Sequence, residues 1–141
     1  MKKMLVPIDG TYRSKKSLYF IVEKFSKDEF EITLINIGDV SEIGFADIHQ
    51  STLIDERLTQ IKEQSNYILD HCKNKLDGYN VKKCFLFGNP GKEIVSKSID
   101  HGFDMIVMTK STKKNFIDSI GSVTQYVVKK AKCIVIIVPE Q

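Results

Sequence analysis

Residues 121–139 read GSVTQYVVKKAKCIVIIVP, and two periodicities stand back to back in them. Val123, Val127 and Ala131 recur at the spacing of one helix face, with Lys129 and Lys130 near the negative helix end. The stretch CIVIIV (133–138) then runs apolar without a break until Pro139. Unbroken Val and Ile mark a strand buried on both faces, as in a parallel sheet, rather than a half-exposed antiparallel one.

The same alternation extends towards the N-terminus. Apolar runs stand at MLVPI (4–8), FEITLINI (30–37), VKKCFLF (81–87) and DMIVM (104–108). Helical stripes lie between them. Leu18, Ile21, Val22 and Phe25 form the first. Ile54, Leu58, Ile61, Ile68, Leu69, Cys72 and Leu76 form a longer one, with Thr52 and Asp55 spaced as a capping box. Ile94, Val95 and Ile99 follow Pro90, which suits a first turn, and His101-Gly102 closes that helix. Strands and helices thus alternate five and four times. That pattern predicts an α/β domain over 1–141 with one doubly wound parallel sheet and right-handed crossovers. Residues 38–50 form the one long irregular connection.

Composition excludes several classes. A chain of 141 residues, 42% apolar and 28% charged, buries enough surface to fold without disulfides or metal. A net charge of +3 is too small to argue for nucleic acid. Cys72, Cys84 and Cys133 are isolated and odd in number, which suits core packing in a reducing compartment. The apolar stretch in MKKMLVPIDG is five residues long, short for a secretory signal, and no segment reaches membrane-span length. The expected location is cytoplasmic.

In open α/β sheets, ligands bind outside the carboxyl ends of the strands. The candidate loops are Asp9-Gly10-Thr11, Gly38-Asp39, GNPGK (88–92) and the stretch MTKSTKKNFIDSIGS (108–122). Asp9-Gly10-Thr11 reads equally as a turn with a helix cap or as an acid placed for ribose hydroxyls or a metal. GNPGK fails the P-loop pattern, since Leu86 and Glu93 stand where Gly and Ser or Thr are needed. No G-x-G-x-x-G follows the first strand, and no G-x-S-x-G is present. His49, His71 and His101 have no metal-ligand spacing, and His71 reads as packing or surface. Ser122 reads as a helix cap. In the long loop, Gly121-Ser122 at a helix start offers unpaired N–H groups to an anion, with Lys110, Lys113 and Lys114 nearby. The plain alternative is a solvated loop face.

VPIDG (6–10), GNPGKEI (88–94), DMIVM (104–108) and GSVTQYVVKKAKCIVIIVP (121–139) together resemble the universal stress protein family over nearly the whole chain. The resemblance implies an adenine-nucleotide α-hydrolase-like fold with sheet order 3-2-1-4-5 and a nucleotide cleft between the first and fourth strands. It places Asp9 near a ribose and the backbone around Ile37 near adenine. Gly10, Met108, Thr109, Lys110, Gly121, Ser122 and Val123 complete the implied site. ATP-binding members carry G-x2-G-x9-G-[ST], of which this chain keeps only Gly121-Ser122. Thr109 and Thr112 replace the first two glycines, and the spacer before Gly121 holds eight residues. A threonine puts a Cβ where the backbone must approach phosphate, and it restricts positive φ.

The expectation is therefore a stress-response protein that acts by binding and dimerisation rather than as an enzyme. It takes ATP or AMP weakly through a degraded phosphate loop. The alternatives are a dimeric scaffold without nucleotide and a slow ATPase. The resemblance puts the last strand at a sheet edge, so pairing of Ile134–Val138 with a second copy would cover it. The loop from Thr109 to Ile120 is expected to be mobile without ligand.

Overall fold

The computed structural model describes residues 1–38, 51–110, 112–113 and 116–140. In chain order the elements are β1 (Lys2–Pro7), a 3-10 turn (Arg13–Lys15), α1 (Lys16–Lys24) and β2 (Phe30–Gly38). They continue with α2 (Ser51–Asn74), β3 (Asn80–Phe87), α3 (Pro90–Asp100) and β4 (Met105–Thr109). A short pair, β5 (Thr112–Lys113) and β6 (Phe116–Ile120), precedes α4 (Ser122–Lys130) and β7 (Ile134–Val138).

The five long strands form one parallel sheet in the order β3-β2-β1-β4-β7. Counting only these five, that is the expected 3-2-1-4-5. Side chains alternate across the sheet, so each strand feeds two cores. Met4, Val6, Ile32, Leu34 and Val107 pack on one face against Leu18 and Ile21 of α1 and Leu69 and Cys72 of α2. Leu5, Ile35, Ile106 and Met108 pack on the other against Ile94 and Val95 of α3 and Val127 of α4. Burying each such side chain contributes about 1.5–3 kcal/mol before entropy is counted. Two apolar faces on one sheet explain why the inner strands β1 and β4 lack a polar alternation, whereas the edge strand β3 carries Lys82 and Lys83.

The helix stripes are right in place but rotated at their edges. Val22 is exposed because Ser17, Leu18 and Ile21 centre the buried face of α1 and leave Val22 on its rim. Ile99 is exposed for the same reason, the buried face of α3 being Gly91, Ile94, Val95 and Ser98. Gly91 lies close to α4, where a Cβ would stand 3.1 Å from the Tyr126 side chain, tighter than an ordinary contact. Asn89 caps α3, its side chain accepting from Lys92 N, with Pro90 in the first turn and His101 at the far cap. Gly102 follows at φ +64°, a turn conformation that suits glycine. Thr52 lies inside α2, so its spacing with Asp55 does not mark the helix start.

The 109–120 stretch is corrected at its ends. Thr109 belongs to β4, paired with Val138, and Lys110 N donates to Val138 O at 2.8 Å. Pairing with β7 carries the strand past the apolar run. The antiparallel pair β5–β6 then takes the place of an open loop, with Thr112 opposite Ile120. Ser111, Lys114 and Asn115 lie outside the described residues, as do 39–50 with Asp39 and His49. His71 is exposed on α2. Cys72 is buried, while Cys84 and Cys133 are half-buried against the second core. Loss of hydration raises the thiol pKa of Cys72 and of Cys133, so neither is a ready nucleophile.

Candidate functional site

Strand order reverses at β1, whose neighbours β2 and β4 leave in opposite directions along the sheet. A cavity of about 490 Å³ opens there, at the carboxyl ends of the strands. Its floor comes from Ile8 and Asp9 after β1, Ile35–Gly38 of β2 and Met108-Thr109 of β4. Ile61, Gln64, Ser65 and Ile68 of α2 form one wall, and Pro90 and Ile94 of α3 part of another. Arg13, Ser14 and the start of α4, Gly121-Ser122-Val123, bound the rest.

Hydrogen-bond alternation in β2 makes one side polar. Ile8 N donates to Ile35 O at 2.8 Å, and Gly88 N donates to Gly38 O at 3.0 Å on the opposite edge. Backbone groups of successive residues alternate in direction along a strand. Ile37 therefore turns its N–H and C=O the way Ile35 does, into the space beyond the last β1–β2 pair, Pro7 with Ile35. Asn36 Nδ2 donates to Ile8 O at 2.6 Å and braces the end of β1.

Asp9 is exposed at the cavity mouth, and its Oδ1 accepts from Thr11 N at 2.9 Å and Thr11 Oγ1 at 2.6 Å. The turn reading of Asp9-Gly10-Thr11 thus holds, with Gly10 at φ +84°, and it holds alongside a place at the cavity. Thr11 O in turn accepts from Ser14 Oγ at 2.9 Å, which settles the chain into the 3-10 turn.

At the other end of the cavity, Gly121 rather than Ser122 is the N-cap of α4, and a glycine has no side chain with which to cap the helix. A helix start without a side-chain cap presents N–H donors and a partial positive charge. Arg13 adds a full charge. Its Nη1 lies 3.4 Å from Glu140 Oε1, a long and partly exposed pair.

Thr109 is more than an obstruction. It is 7% exposed, and its Oγ1 accepts from Ser17 N at 3.1 Å and lies 2.7 Å from Ser17 Oγ and 3.4 Å from Ser14 O. Lys15, at the N-cap of α1, makes no side-chain cap bond. The cap of α1 is thus supplied from β4, ninety-two residues away.

Of the residues expected at a site, Asp9, Ile37, Met108, Thr109, Gly121, Ser122 and Val123 line this cavity. Gly10 and Lys110 do not. Gly10 serves the turn, where a Cβ would meet Ile68 Cδ1 at 2.9 Å, and Lys110 prolongs the sheet through its N–H. Arg13, Asn36, Gln64 and Ser65 line it without having been foreseen. Ser65 left one sequence signal: it occupies the α2 stripe between Ile61 and Ile68, where an apolar residue belongs. Arg13 left none.

The profile of the universal stress protein family matches residues 1–139. Universal stress protein YxiE of Bacillus subtilis is 26% identical, the match covering 96% of this chain and 97% of the relative. Universal stress protein MJ0531 of Methanocaldococcus jannaschii is 31% identical over 97% of this chain and 81% of its own length. Among solved structures, a universal stress protein family protein from Arabidopsis thaliana with AMP bound superposes with a TM-score of 0.73 at 18% identity. That match covers 100% of this chain and 93% of the other, and it bears on the fold.

Proposed function

The chain belongs to the universal stress protein family, and from that premise we propose that it binds an adenine nucleotide, AMP better than ATP, in the cavity at the β1/β4 junction. The observation that carries the reading is a cavity with unlike polar ends. Ile37 offers a backbone donor and acceptor at one end, as an adenine edge requires, and Asp9 stands at the mouth for ribose hydroxyls. Arg13 and the start of α4 at Gly121 offer positive charge for a phosphate. The AMP bound by the Arabidopsis protein supports the same class of ligand.

The phosphate end is suited to a single phosphate. Thr109 keeps a Cβ and a committed hydroxyl where ATP-binding relatives have glycine, so the backbone does not open to wrap a triphosphate. The protein acts by binding, as a cytoplasmic stress-response protein, and not by turnover. Among the described residues no helix is long and apolar enough to cross a membrane.

Calorimetry with AMP, ATP and adenosine tests this reading. AMP should bind at least as tightly as ATP, and adenosine more weakly than AMP. No heat with any of the three at millimolar concentration would leave the scaffold reading instead. Sub-micromolar ATP binding would refute the view of a degraded loop. Steady phosphate release from ATP would favour the slow ATPase.

A homodimer through β7 is part of the proposal. β7 is an edge strand of five residues, and Ile134 is 62% exposed on it. An apolar edge with open N–H and C=O groups pairs readily with another chain. Antiparallel pairing with a second β7 would join two sheets under two-fold symmetry. Ile136 packs against the first core, so a lysine there would damage the fold as well as the edge. Ile134→Lys is the cleaner variant. Sedimentation at micromolar concentration should give a dimer for the parent and a dissociation constant raised at least tenfold for Ile134→Lys. A monomeric parent would remove β7 pairing from the proposal.

A further inference from the structure

Ser65 Oγ is the one buried side-chain polar atom among the described residues with no hydrogen-bond partner. The residue is 2% exposed, on the face of α2 that lines the cavity between Ile61 and Ile68. A serine within a helix ordinarily relieves its hydroxyl by bonding back to the carbonyl four residues earlier. This one does not, and a buried polar group left unpaired costs stability. Alanine would fill the same space without that cost. Ile35, Ile37, Ile61 and Ile68 also line the cavity, and Gln64 is the other polar residue of the α2 wall.

We propose that Ser65 reads the base: its hydroxyl pairs with a ring nitrogen or amino group of the purine when the base enters beside Ile37. The inference rests on the nucleotide reading above and adds a specificity residue to it. Ile37 supplies one donor and one acceptor from the backbone, which any side chain at that position would also supply. A purine has more heteroatoms on its edge than those two groups satisfy. Burial among the isoleucines desolvates the remainder, so a nitrogen left unpaired there would oppose binding. Ser65, able to donate and accept, removes that opposition.

The test compares the parent with Ser65→Ala against two probes, AMP and ribose 5-phosphate, which lacks the base. AMP affinity should fall about 5- to 10-fold in the variant, the size of one neutral hydrogen bond. Ribose 5-phosphate affinity should stay within about 2-fold. The ligand-free variant should melt at the parent's temperature or above it, because the removed hydroxyl has no partner to lose. A structural role predicts the reverse, a lower melting temperature with both probes weakened alike. Unchanged AMP affinity, or an equal loss for both probes, overturns the role of Ser65 while the nucleotide reading stands. A parent that binds neither probe overturns both.

Discussion

Thr109→Gly is expected to lower the free energy of unfolding by about 1.5–4 kcal/mol, the larger of the stability effects foreseen at the cavity. Ser17 is fully buried, and its N–H has Thr109 Oγ1 as acceptor. Removing the hydroxyl strands that donor at about 1–3 kcal/mol, and glycine in a strand adds about 0.5–1 kcal/mol of chain entropy. With Ser17 Oγ donating, the Thr109 oxygen accepts twice and gives its own proton to Ser14 O. The hydroxyl therefore uses its whole bonding capacity. Thr109→Ser should keep most of the network and cost about 1 kcal/mol or less, the loss of one partly packed methyl. Urea unfolding with an unchanged denaturant slope would measure the difference. A glycine variant within 0.5 kcal/mol of the parent, about the scatter of surface substitutions, would show that the cap on α1 carries no weight. The consequence for function is direct. A glycine at this position loosens α1 whatever it does for a phosphate loop, so a Thr109→Gly, Thr112→Gly double variant tests two things at once.

The largest effect on binding is expected from Arg13→Glu, with AMP affinity falling on the order of 30-fold. A hydrogen bond to a charged group is worth about 1.5–3 kcal/mol, and reversal adds repulsion between the new carboxylate and phosphate. The new side chain would also face Glu140, its present partner at 3.4 Å. Arg13 is partly exposed, so added salt should weaken AMP binding to the parent and matter less to the variant. Adenosine, which has no phosphate, should bind both proteins within about 2-fold, since nothing in it meets the guanidinium. Calorimetry at two salt concentrations checks all of this. Equal losses for AMP and adenosine would mean that the variant disturbs the cavity at large, and no loss for either would place the phosphate elsewhere.

The two effects separate what the residues do. Thr109 joins β4 to α1 through buried bonds, and its loss is read in unfolding. Arg13 makes a long ion pair with Glu140 at the cavity, and its loss is read in binding. Ser65 differs from both, being buried like Thr109 but without a hydrogen-bond partner among the described residues.

Strands and helices were legible in the chain because their signals are local. Ile and Val without polar alternation mark β1, β4 and β7, and 3.6-residue stripes mark α1 to α4, within windows of ten or so residues. The same windows placed Pro90, His101 and Gly102 correctly at the ends of α3. They misplaced Val22 and Ile99, since periodicity says that a stripe exists and the neighbouring elements decide which edge of it is covered. Asp9 and Gly121 could be named because each sits at a recognisable strand end or helix start, whereas Ile37 was named through the family resemblance. Arg13 and the capping role of Thr109 had no such mark. Their meaning depends on which distant groups come within about 3 Å, and hydrogen bonds act only at that range. The 3-10 turn beside the end of β4 and the α2 wall beside the end of β2 join residues far apart in the chain. Sequence patterning determined the layers of this protein; only the packing of those layers decided which oxygen caps which helix, and which hydroxyl was left without a partner.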